Sequence, residues 1–138
     1  MIEKRFNRKV DALDDIFPFI SEFGTENGIS ETDMFKVSLA IEELFVNMVR
    51  HNVGGGSDIL IGLEKAGESL TVSLTDFDVE PFDITEAQEY DTGRPLSERP
   101  IGRLGVHLVK RMIDGVKYEY NDRQSKITLV KDLGNVNV

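Results

Sequence analysis

This chain of 138 residues lacks several features, and each absence narrows what the protein can be. It has no cysteine, which excludes disulfides and thiolate metal sites and fits a reducing compartment. No apolar run approaches the roughly 20 residues that a membrane-spanning helix needs, and the N-terminal segment contains no apolar signal-peptide core. We therefore expect a soluble, cytoplasmic protein.

Positive charge is also scarce. Lysine and arginine number 16 against 25 acidic residues, so the net charge is −9 and the pI is near 4.7. Because such a field repels polyanions, direct binding to nucleic acid is not expected. A small phosphate ligand remains compatible, since a metal ion, helix N-termini and backbone N–H groups can hold it locally. The length predicts a single domain over residues 1–138.

The first elements predicted are a short charged strand over residues 4–10 and a helix after it. Gly24 is the expected end of this helix. Pro18 would break a hydrogen bond in a helix interior, so the helix either begins near Asp15 or is kinked. The helix is indicated by apolar residues three and four apart, at Leu13, Ile16, Phe17, Ile20 and Phe23.

A second, longer helix is predicted from Ser30 to about Asn52. Ser30 is typical of an N-cap, and Asp33 follows it at the position where an acidic residue favours a helix start. An apolar stripe at helical spacing should face the core, at Met34, Val37, Ile41, Leu44 and Met48.

Alternating apolar and polar residues predict two β-hairpins. The first pairs residues 58–65 with 70–76 across a short turn. The second pairs residues 116–120 with 126–131 around residues 121–125. Two antiparallel hairpins indicate a mostly antiparallel sheet.

The segment between the hairpins has two parts. Residues 79–100 lack periodicity and hold three prolines, so we expect a long functional loop. We expect a helix over residues 102–114 to follow, ended by Gly115, and residues 134–138 to form a frayed tail. Helices on one face of such a sheet make an α+β, two-layer sandwich.

Polar residues one turn apart mark the second helix. Glu43, Asn47 and His51 share one face, because each step of four residues rotates only about 40° around the axis. Asparagine offers an oxygen ligand to Mg²⁺, and glutamate can act as a general base. The alternative is an exposed polar stripe, with His51 interacting only with the helix dipole.

Asp76 closes the second strand of the first hairpin. A carboxylate at a strand end can accept a hydrogen bond from an exocyclic amine such as that of adenine. The alternative is that Asp76 only begins a turn, because acidic residues are common there.

Two glycines, Gly102 and Gly105, lie at the start of the last predicted helix. Glycine lets backbone N–H groups approach a phosphate closely, and the helix N-terminus adds partial positive charge. The alternative is a glycine-rich helix start that serves packing alone.

These three features together resemble the anti-sigma regulatory factors, small serine/threonine kinases of the GHKL superfamily that includes gyrase, MutL and the sensor histidine kinases. Residues 43–47 resemble the N box, residues 76–82 the G1 box and residues 102–105 the G2 box. The run RPIGRLGVHLV over residues 99–109 is similar to a G-x-L-G-x-x-L segment of that family. The resemblance extends over residues 6–133 and implies the histidine-kinase-like ATPase (Bergerat) fold.

Roles for single residues follow from this resemblance. It implies that Glu43 is the catalytic base, that Asn47 coordinates Mg²⁺ and that Asp76 recognises the adenine of ATP. It implies that residues 79–100 form the ATP lid. The nucleotide-binding set then comprises Asn47, His51, Asp76, Asp78, Gly102, Arg103, Leu104, Gly105 and Thr128.

One position departs from the family pattern. The G1 box is D-x-G, but Asp78 stands where the glycine belongs. A negative side chain there either weakens adenine binding at Asp76 or makes Asp78 the relevant acid. Thr128, on the last strand, is expected as a polar neighbour of the adenine site.

The function implied is an ATP-binding anti-sigma factor with serine/threonine kinase activity. It would transfer the γ-phosphate of ATP to a hydroxyl of a STAS-type anti-anti-sigma protein, sequester a sigma factor and so regulate transcription. The resemblance also allows a homodimer. The alternative is a non-catalytic partner-switching module with weak or no nucleotide binding.

Overall fold

Five antiparallel strands form one sheet in the part of the chain that the structure describes. This computed structural model describes residues 1–51, 57–77 and 112–133. The strand order is β1-β2-β3-β5-β4, and each neighbouring pair is antiparallel. The helices and strands are β1 (Ile2–Phe6), α1 (Leu13–Glu26), α2 (Glu31–His51), β2 (Ile59–Ala66), β3 (Ser69–Asp76), β4 (Gly115–Asn121) and β5 (Gln124–Asp132).

Helix α1 differs from its prediction at both ends. It begins at Leu13, before Asp15, and Pro18 lies inside it. It also continues past Gly24 and stops before Gly28, which has a positive φ of 64°. Gly24 instead faces α2, where an added Cβ would lie 2.7 Å from Cγ of Met34. The predicted stop at Gly24 is therefore wrong, because this glycine permits close packing of the two helices.

Helix α2 begins as the sequence predicts. The Asp33 backbone N–H donates to the Ser30 hydroxyl oxygen at 3.2 Å, which is the N-cap bond. The Met34 N–H donates to the Ser30 carbonyl at 3.0 Å. The predicted stripe faces the core: Met34 is partly buried against it, and the buried members are Val37, Ile41, Leu44 and Met48.

One face of the sheet supplies the rest of the core. Residues paired across antiparallel strands point to the same face, so the register Ile61↔Leu74↔Ile127 sets one apolar row. The buried side chains of α1 and α2 belong to the same cluster as this face. Its strand members are Phe6, Ile59, Ile61, Leu63, Leu70, Val72, Leu74, Ile127 and Leu129. The α+β prediction is thus confirmed.

Two strand boundaries differ from prediction. β1 ends at Phe6, and a 3-10 turn over Val10–Ala12 replaces the rest of the strand expected over residues 4–10. The turn between β4 and β5 is shorter than residues 121–125, because only Asp122 and Arg123 lie between the strands. Both have positive φ, 53° and 61°, which is the backbone of a two-residue turn that matches strand twist.

Several predicted segments lie outside the described residues. These are the lid over residues 79–100, all but the last residues of the helix over residues 102–114, and the tail over residues 134–138. Within the described ranges, neither helix has the length and apolar character needed to cross a bilayer.

Candidate nucleotide site

The last turn of α2 and the last residue of β3 meet at one end of the core. A single nitrogen, Nη1 of Arg8, donates hydrogen bonds to the Met48 carbonyl oxygen at 3.1 Å and to Oδ2 of Asp76 at 3.2 Å. The second terminal nitrogen of Arg8, Nη2, pairs with Oδ1 of Asp76. Because one side chain contacts both elements, this end of the core brings Asp76 close to the helix that carries Asn47.

Asp76 lies on the apolar face of the sheet. It continues the row of Leu70, Val72 and Leu74 along β3, and only 4% of its surface is exposed. A carboxylate in such a place is costly unless a partner and hydrogen bonds compensate it. This burial does not fit the alternative of an exposed turn residue, so Asp76 is a residue with a specific structural or functional role.

Arg8 is the partner that sequence reasoning missed. It lies between β1 and the 3-10 turn, and 6% of its side chain is exposed. Burial lowers the pKa of the Arg8 guanidinium from its ordinary value. Arginine nevertheless stays protonated in proteins, so Arg8 and Asp76 form a buried ion pair. The Met48 carbonyl is among the last four of α2, which have no partner within the helix.

Glu43 and Asn47 lie one turn apart near the C-terminal end of α2. Asn47 is buried, with 7% of its surface exposed, whereas Glu43 is half-buried. A buried carboxamide does not fit the alternative of an exposed polar stripe. His51 is the last residue of α2, and its side chain lies outside the described part of the structure.

The polar side chains of α2 could bind Mg²⁺ only together with further ligands from waters and a nucleotide. The described residues contain no cluster of three histidine or acidic side chains that could hold a metal ion. Mg²⁺ commonly takes one or two protein oxygens and completes its shell with waters and substrate phosphates. Asn47 has a side-chain oxygen of that kind, so it fits a metal that arrives with a nucleotide.

The structure does not bring Thr128 to Asp76. Asp76 pairs with Ser125, whereas Thr128 pairs with Ser73 and therefore points to the opposite face of the sheet. The expectation for Thr128 is wrong because alternation along β5 fixes its face. Ser125, which is buried, is the polar residue of β5 that pairs with Asp76 on the same face.

The remaining predicted site residues lie outside the described part of the chain. They are Asp78 in the G1 segment and Gly102, Arg103, Leu104 and Gly105 in the G2 segment.

Comparison with known proteins defines the class to which this fold and site belong. A model of the histidine kinase-like ATPase domain matches residues 6–131. The chain therefore belongs to the histidine kinase-like ATPase domain family.

Three similar proteins narrow the comparison. The chain is 28% identical over 117 residues to the serine-protein kinase RsbW of Listeria monocytogenes, covering 78% of this chain and 72% of RsbW. The solved RsbU and RsbW domains of Rv1364c from Mycobacterium tuberculosis have a similar fold, with a TM-score of 0.70 at 15% identity. That match covers 96% of this chain but only 32% of the solved chain.

The third is the SiaB–SiaC complex from Pseudomonas aeruginosa, with a TM-score of 0.66 at 12% identity. The match covers 95% of this chain and 88% of the solved chain. At these identities the two solved structures show a shared fold.

Proposed function

We propose that this protein is a cytoplasmic ATP-binding anti-sigma factor with serine/threonine kinase activity. Its substrate is a hydroxyl of a STAS-type anti-anti-sigma protein, and its second partner is a sigma factor that it sequesters. The observation that carries the proposal is the meeting of α2 and β3, where one arginine contacts both Asp76 and the residue after Asn47. The named activity of the Listeria relative and the SiaB–SiaC complex of similar fold support it.

Each residue has a proposed task in this reaction. Asp76 accepts a hydrogen bond from the exocyclic amine of adenine, and Asn47 supplies an oxygen ligand to Mg²⁺. When bound, Mg²⁺ neutralises charge on the phosphates. Residues 102–105 are assigned to the phosphates by the resemblance.

The transfer itself needs a base at the attacking hydroxyl. A bond forms between that oxygen and the γ-phosphorus, while the bond from phosphorus to the bridging oxygen breaks and ADP leaves with the electron pair. Glu43, half-buried one turn before Asn47, accepts the hydroxyl proton.

Replacement of the base tests the proposal. Purified protein should label a STAS-domain protein of the same organism from radiolabelled ATP. Glu43→Gln should lower the labelling rate by about 10²- to 10⁴-fold, the usual contribution of a general base. The matched control is Glu42→Gln, because Glu42 is the neighbouring residue and is also half-buried. Calorimetry should show that both variants still bind Mg-ATP.

Two observations favour the alternative of a non-catalytic module. Asp78 occupies the glycine position of the G1 pattern, and Arg8 already occupies the carboxylate of Asp76. If the wild type gives no binding heat and no melting shift with Mg-ATP, the kinase proposal fails and the module is supported. If labelling is lost equally in the Glu42 and Glu43 variants, Glu43 is not the catalytic base. The rest of the kinase proposal would still stand.

A further inference from the structure

The Arg8 side chain makes contacts that neither the proposed chemistry nor the family pattern uses. It pairs with both oxygens of Asp76, and the two side chains are each 6% exposed. Asp76 is the residue proposed to recognise the base. The proposed base-recognition group is therefore already occupied by a cation from the same chain.

Within the described residues, one hydrogen-bond donor of this ion pair has no acceptor. The Nε of Arg8 is buried and has no hydrogen-bond partner among the residues that the structure describes. Leaving a buried, charged donor without an acceptor is costly, and a pair kept for stability alone would be expected to satisfy all its donors. The hydrogen bonds of Arg8 within the described residues go to Asp76 and the Met48 carbonyl.

We propose that Arg8 is a latch on the nucleotide site, in which its guanidinium competes with the nucleotide base for Asp76. The inference rests on the proposed nucleotide binding. A two-pronged, charged guanidinium binds a carboxylate more strongly than the neutral amine of a base does. Arg8 must therefore leave Asp76 before the base can take its place. The apparent affinity is then the intrinsic affinity multiplied by the fraction of molecules in which the latch is open.

The latch also reaches the metal-binding helix. The nitrogen that contacts Asp76 contacts the Met48 carbonyl as well, and Met48 directly follows Asn47. Release of Arg8 thus frees a carbonyl in the last turn of α2.

Calorimetry on folded variants tests the latch. Arg8→Gln removes the charge, so it should bind Mg-ATP and adenosine at least tenfold more tightly than the wild type. Magnesium tripolyphosphate has no base, so its affinity should not increase. Arg8→Lys keeps the positive charge but cannot bind both carboxylate oxygens as a guanidinium does. Its affinity for Mg-ATP and adenosine should therefore lie between those of the wild type and Arg8→Gln. Asp76→Asn introduced with Arg8→Gln should abolish the gain.

A second measurement on the wild type does not depend on variants that could fold poorly. In a ¹⁵N-labelled sample, the Arg8 Nε–H resonance is identified by its absence in Arg8→Lys. It should move toward the position of exposed arginines when Mg-ATP or adenosine is added. Tripolyphosphate should leave it in place.

The outcomes separate this inference from the proposed function. If the wild type binds Mg-ATP and folded Arg8→Gln binds no more tightly, Arg8 is structural and the latch is refuted while nucleotide binding stands. If neither folded protein binds Mg-ATP, both proposals are refuted. Binding by Arg8→Gln alone would support a latch that is closed in the wild type.

Discussion

The core of this protein has an apolar body and a polar end, and the two obey different rules. In the body, side chains such as Ile61, Leu74 and Ile127 are buried without polar atoms to satisfy. At the end, Arg8 and Asp76 are buried at the cost of their hydration, and Nε of Arg8 has no acceptor among the residues that the structure describes. Packing explains the body, whereas the polar end is costly to build and therefore points to function.

A substitution in the apolar body of the core should cause the largest loss of folding stability. Phe45→Ala removes a fully buried ring from α2 and should lower the free energy of unfolding by about 3–5 kcal/mol. The control is Phe35→Ala on the same helix, because Phe35 is 68% exposed. Its substitution should change the free energy of unfolding by no more than about 0.5 kcal/mol. Urea denaturation measures both. Equal losses would mean that Phe45 is not in the core.

At the polar end, removal of Arg8 alone should lower folding stability more than removal of both Arg8 and Asp76. Arg8→Met leaves the Asp76 carboxylate buried without its cation and should cost about 3 kcal/mol in urea denaturation. Combining it with Asp76→Leu removes both charges, and most of the lost stability should return. Additive losses in the double variant would show that the two side chains are not coupled.

The smallest effect is expected at the other end of α2, far from the site. Ser30→Ala removes the acceptor of the Asp33 N–H and should cost about 1 kcal/mol. Ser30→Asp retains a capping oxygen and should remain near the wild type. A shift in thermal melting temperature checks this order. Loss of stability in both variants would contradict the capping role.

Local patterns predicted much of the fold. The N-cap at Ser30, the apolar stripe of α2 and the two hairpins depend on residues close in sequence, and all appear in the structure. The errors arise where tertiary packing decides. Gly24 looked like a helix stop, but it is small because Met34 of α2 packs against it.

The site was less predictable for the same reason. Asp76 was proposed for the candidate site from its place at a strand end, but Arg8 lies 68 residues away in sequence and no local pattern links the two. Thr128 was expected near the adenine site, but it pairs with Ser73 and so lies on the opposite face of the sheet from Asp76. The register between β3 and β5 is not encoded in either strand alone.

That register has a consequence for how the protein folds. β2 with β3 and β4 with β5 are local hairpins that can form quickly, whereas β3 and β5 join across the whole segment between Asp76 and Gln124. Pairings distant in sequence must overcome the entropy of closing a long loop, so we expect this seam to form late. Asp76 and Ser125 are cross-strand partners on the seam, and the carboxylate would reach its final surroundings only as folding finishes.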